Sequence, residues 1–114
     1  MANEQKAYEM MVIFKPLLPD DVRKKSHSTI IDKIKDLGGK VENADVWGKR
    51  YLAYPVAGHD EGYYIVYSLT LPADSVKKLS DSVKRITEVL RHMIVEIEAW
   101  DESKQNVKKK VIEI

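Results

Sequence analysis

The chain contains no cysteine. That excludes disulfides and cysteine-ligated metal centres, and it argues against a small secreted scaffold held by cross-links. An excess of charge of either sign is also missing: 19 Lys and Arg stand against 18 Asp and Glu, for a net charge of +1. A protein that holds nucleic acid by bulk charge alone is far more basic, so any such role must rest on local clusters. Long hydrophobic runs are lacking as well. No apolar stretch approaches the roughly 18 residues of a membrane span. The N-terminal MANEQKAYEMMVIF carries an acidic residue and has no small-residue cleavage site, unlike a secretory signal. A soluble cytoplasmic protein without a membrane partner is expected. Glycine-rich phosphate loops are absent. None of His27, His59 and His92 has a second histidine three or four residues away, so neither a metal nor a cofactor is expected.

What is present is an ordinary globular balance, 44% hydrophobic and 32% charged over 114 residues, sized for one domain. The compact apolar run AYEMMVIF (7–14) predicts a strand ended by Pro16 and Pro19. Asp20 and Asp21 suit a helix N-terminus, where carboxylates meet unpaired amides and the positive end of the dipole. Val22, Ile30, Ile34 and Leu37 then fall on one helical face, with Ser26 a turn above Ile30, and Gly38-Gly39 supplies the stop. A helix over 20–37 follows. Residues 40–56 read as a long strand with a bulge at Gly48, and 57–62 as a hairpin loop. YYIVYSLTL (63–71) is the clearest strand. Asp74 or Ser75 can cap a second helix carrying Val76, Leu79, Val83 and Ile86 on one face. LRHMIVEIEA (90–99) makes the last strand.

The order β-α-β-β-α-β, with right-handed crossovers, predicts an α+β, ferredoxin-like fold. It is a four-stranded antiparallel sheet with both helices on one face, in a single domain over residues 1–100. Residues 101–114 lose periodicity and turn basic, which reads as a flexible tail. Strand alternation sends Met10, Val12, Phe14, Ile65, Tyr67, Leu69, Met93 and Val95 toward the helices. The opposite face then carries Glu9, Ser68, His92 and Glu96, but also Met11, Ile13, Tyr64, Val66 and Ile94. Sheets often carry scattered apolar residues on their wet side, where strand propensity favours them, but an apolar patch of that extent on a small domain more often marks a partner surface.

A catalytic constellation does not assemble. Asp20-Asp21 and Asp60-Glu61 sit where capping and solvation explain them. Ser26 and Ser28 flank His27 but project from different faces of the helix. The basic pairs Lys49-Arg50 and Arg91-His92, from two strands, are more informative. Arginine forks match phosphate oxygens and aromatic rings stack on exposed bases. Solvated strand positions with cross-strand partners account for the same residues.

The stretch GKRYLAYPV, Gly48–Val56, resembles the signature of the bacterial small-subunit ribosomal protein number six family. That signature is a glycine, a basic pair, then leucine, alanine, tyrosine, proline and an aliphatic residue. The resemblance extends over about residues 7–98, through Tyr8-Glu9, Gly62-Tyr63, Pro72 and Arg91-His92-Met93. It implies a ferredoxin-like, non-enzymatic structural protein of the ribosome. Such a protein binds small-subunit ribosomal RNA together with ribosomal protein number eighteen. Separately, the free chain is expected to be a monomer, the alternative being a homodimer formed through the open sheet face. On this resemblance Lys49, Arg50, Arg91 and His92 are the RNA contacts, and Met11, Ile13, Tyr64, Val66 and Ile94 face the partner protein. Three positions depart from the family pattern: Tyr51 replaces a commonly charged residue, Val56 an isoleucine, and His92 a common arginine. The same topology also hosts small-molecule sensors and acyl-phosphate hydrolases. A hydrolase of that type calls for an arginine in the first strand–helix loop, where KPLLPDD (15–21) has none.

Overall fold

The computed structural model describes residues 4–56 and 58–97, together with the backbone of 109–112. The elements run β1 (Gln5–Phe14), α1 (Asp20–Asp36), β2 (Lys40–Val56), β3 (His59–Pro72), α2 (Val76–Lys84), β4 (Val89–Ile97) and β5 (Lys109–Ile112). A 3-10 turn, Ala73–Ser75, leads into α2. All strand pairings are antiparallel and the sheet order is β2-β3-β1-β4-β5. The first four strands and two helices form the expected ferredoxin-like arrangement.

Alternation in β1 explains why it sits at the centre. Tyr8, Met10, Val12 and Phe14 are each 2% exposed or less and point to one side. They meet Ile65, Tyr67, Leu69 and Leu71 of β3, Ile30 and Ile34 of α1, and Leu79 and Val83 of α2 in one core cluster. Both helices therefore cover the same face. Each large apolar side chain so buried contributes about 1.5–3 kcal/mol relative to an exposed one. The end of α1 follows from local chemistry. Gly38 takes φ +85, the left-handed region that favours glycine. Its amide donates to the Lys35 carbonyl, and the Gly39 amide donates to the Ile34 carbonyl at 2.9 Å, which satisfies the last turn. Gly39 has no room for a side chain: a Cβ there would lie 2.6 Å from the Thr70 carbonyl oxygen. The helix thus docks against the sheet at this point.

Three expectations are corrected. Residues 59–62 are paired, not looped: Val56 faces His59 and β3 begins there, with Gly58 at φ +81 in the turn. The phase of β4 is opposite to the expected one. Met10 pairs with Ile94 and Val12 with His92, so Ile94 and His92 face the helices, whereas Met11 pairs with Met93 and Glu9 with Val95 on the open side. Ile94 is 2% exposed and belongs to the core. Lastly, four residues of the expected flexible tail, Lys109–Ile112, form β5 on the edge of β4. The sequence there is KKVI, short and ending in two β-branched residues, which suits a strand added to an available edge. The rest of that tail, 101–108 and 113–114, lies outside the described residues.

Candidate functional site

The sheet face away from the helices carries the side chains that the core leaves over. Register pairs Met11 with Val66 and Met93, and Ile13 with Tyr64 and Arg91. Met11, Ile13 and Tyr64 are half-buried and Met93 is 37% exposed. Val66, at 6%, is largely covered within the domain. Of the five residues expected at a partner surface, four are brought together here. The fifth, Ile94, is replaced by its neighbour Met93. A pocket of about 200 Å³ opens beside this stripe, lined by Met11, Ile13 and the run Arg91–Met93. The stripe continues toward the β2–β3 hairpin because Gly62 leaves space. A Cβ at Gly62 would lie 2.3 Å from the Ile13 side chain, which occupies that space.

The basic pair is divided. Gly48, at φ +81, sits where the β2–β3 register shifts, the expected bulge. Beyond it Arg50 pairs with Gly62 and Lys49 with Tyr63, so the two side chains leave opposite faces of the hairpin. Arg50 lies on the open face, its guanidinium 5.5 Å from the centre of the Trp47 ring. Trp47 is 44% exposed, and its indole N–H donates to Asp45 Oδ2 at 3.0 Å. Lys49 lies on the helix side, with its Nζ 3.7 Å from Glu61 Oε2. The same side holds Arg23, whose guanidinium is 4.0 Å from the centre of the Tyr63 ring and 2.6 Å from Asp20.

Arg91 is on the open face and donates to the Tyr54 hydroxyl, with its guanidinium 5.7 Å from the centre of that ring. His92 is not on that face. It turns to the helices, and its Nε2 lies 2.7 Å from the hydroxyl of Ser80, a residue only 1% exposed. Desolvation, and secondarily Lys84, holds its pKa below the ordinary imidazole value. A neutral, half-buried imidazole bonded to a buried hydroxyl is a poor phosphate ligand, so His92 leaves the candidate set. The open face therefore presents an apolar stripe between two arginine–aromatic pairs, Arg50 with Trp47 and Arg91 with Tyr54. The pairings of Trp47, Tyr54 and Met93 escaped the sequence reading. Trp47, three residues before Arg50 in WGKR, was the available signal for that pair, whereas Tyr54 meets Arg91 from 37 residues away and local sequence offered none. The role of Met93 needed the strand register.

The fold defines a class, the ferredoxin-like α+β proteins with one sheet face left open by the helices. A sequence model of the family described as ribosomal protein S6 matches residues 7–96. The small ribosomal subunit protein bS6 of Dictyoglomus turgidum is 40% identical over 91 residues, covering 80% of this chain and 94% of the relative. That of Clostridium botulinum is 42% identical over 89 residues, covering 77% and 94%. Among solved structures, the 30S ribosomal protein S6 of Thermotoga maritima superposes with a TM-score of 0.76 at 22% identity, over 82% of this chain and 88% of its own. The P2 domain of the chemotaxis kinase CheA, in a complex with CheY from the same thermophile, shares the fold at a TM-score of 0.57 and 18% identity. The chain belongs to the ribosomal protein S6 family. It is a structural component of the bacterial small ribosomal subunit, located with the ribosome in the cytoplasm, and not an enzyme.

Proposed function

We propose that this protein contacts small-subunit ribosomal RNA directly and does so jointly with ribosomal protein number eighteen. The observation that carries the reading is the composition of the open sheet face: an apolar stripe for a protein partner, rimmed by arginines for phosphate. Met11, Ile13, Tyr64 and Met93 form the stripe, with Val66 beneath it. Arg50 and Arg91 rim it, each held against an aromatic ring. An aromatic neighbour orients a guanidinium, whose planar fork matches phosphate oxygens. Lys49 contacts RNA from the other side of the hairpin and exchanges Glu61 for phosphate as it does so. A net charge of +1 fits a protein that shares the RNA with a more basic partner.

The test is assembly of the purified chain with ribosomal protein number eighteen on a fragment of the small-subunit RNA, titrated over a range of salt. Arg50→Ala combined with Arg91→Ala is expected to weaken assembly and to flatten the log–log salt dependence by about 0.7–0.9 for each phosphate no longer neutralised. Unchanged affinity and slope would remove both arginines from the RNA interface.

A further inference from the structure

The match to the ribosomal protein S6 family ends at residue 96, yet the chain runs on to Ile114. Part of that extension is folded onto the domain. Ile112 pairs with Ile94, Val111 with Val95, Lys110 with Glu96 and Lys109 with Ile97, all antiparallel. Burial along β4 changes where the pairing begins. On the open side of the strand, Met93 is 37% exposed and Val95 7%, and the pairing with β5 begins between them. Without β5, β4 is the outermost strand on that side of the sheet. Its unpaired amides and carbonyls would then form a template for another strand.

We propose that the outer edge of β4 over Ile94–Ile97 is a strand-docking site, and that the segment Lys109–Ile112 of the same chain is the ligand it holds. What it takes is an extended segment, held through backbone pairing in the register Ile94 with Ile112 to Ile97 with Lys109. Docking in cis seals the edge and keeps two copies of the domain from pairing edge to edge. This site is separate from the open sheet face and stands whether or not that face binds RNA or a protein partner.

The full chain carrying Val111→Pro tests it, because proline cannot donate to a ladder and breaks strand pairing. Hydrogen exchange is read at the amides of Ile94–Ile97. The variant is expected to lose at least about tenfold of the protection at the amides facing β5, while β1 and β3 keep theirs. Its thermal midpoint should fall by about 4 °C or more. A synthetic peptide of residues 107–114 added to the variant should restore the protection, and the same peptide carrying Val111→Pro should not. Unchanged exchange at Ile94–Ile97 in the variant would overturn the proposal. So would failure of the wild-type peptide to restore protection at millimolar concentration. Sedimentation adds a second reading: the variant should self-associate at concentrations where the parent is monomeric, and a variant as monomeric as the parent overturns the sealing role.

Discussion

His27 and His92 both end at hydroxyl groups inside the helix–sheet interface. His27 Nδ1 lies 2.7 Å from the Tyr67 hydroxyl, with the two rings stacked at 5.3 Å. Tyr67 is fully buried, and burial pushes its phenol pKa up, so it stays a neutral donor. A neutral imidazole can accept that proton; an imidazolium can only donate. Desolvation lowers the pKa of His27, and desolvation followed by Lys84 lowers that of His92. With folded values below the ordinary 6.5, the unfolded chain binds protons first as pH falls. The stabilisation from the neutral rings is therefore complete above about pH 6.5 and is lost as pH drops toward the folded values. The thermal midpoint is expected to fall between pH 7 and pH 5. A His27→Gln, His92→Gln double variant should show a shallower decline over that interval. An equal decline in parent and double variant would assign the effect to other groups. Sequence alone placed His27 mid-helix but could not show its partner, because Tyr67 is 40 residues away.

At the scale of elements, β4 shows what periodicity can and cannot decide. Most of the fold was legible: the strands, the helix stop at Gly38-Gly39 and the Gly48 bulge each rest on local residue chemistry. In β4 the run Met93-Ile94-Val95 is apolar at three successive positions, so either phase offers an aliphatic core residue. The tertiary pairing with β1 selects Ile94 and His92, and Ser80 on α2 supplies the partner that makes an inward histidine tolerable. The division of Lys49 from Arg50 across the hairpin could be anticipated from strand alternation, whereas their opposite surroundings could not. The phase makes a direct prediction. Ile94→Ala should cost about 2–5 kcal/mol in chemical denaturation, as large-to-small changes in a closed core do. Met93→Ala, on the open side, should cost less than about 1 kcal/mol. Equal costs would place the strand in the other phase.

For the whole molecule, the proposed function divides the two sides of the sheet between stability and assembly. The helix side holds the core; the open side keeps apolar residues that the free domain does not fully bury. Val66, at 6% exposure, is packed within the domain, so a charge there would confound folding with any effect on binding. Met93 separates them, because a glutamate at a position 37% exposed can remain hydrated in the free protein. Met93→Glu should keep unfolding free energy within about 1 kcal/mol of the parent. In the proposed interface with ribosomal protein number eighteen the same carboxylate would be forced into an apolar contact without a partner. Affinity should then fall by about 2 kcal/mol, roughly thirtyfold, in isothermal titration. Assembly on the RNA should weaken in parallel, since the open face is proposed to bring both partners together. Normal partner binding by a folded Met93→Glu protein would show that the apolar stripe is not the protein interface. Loss of partner binding with RNA assembly intact would instead show that the rim arginines act on RNA without the partner.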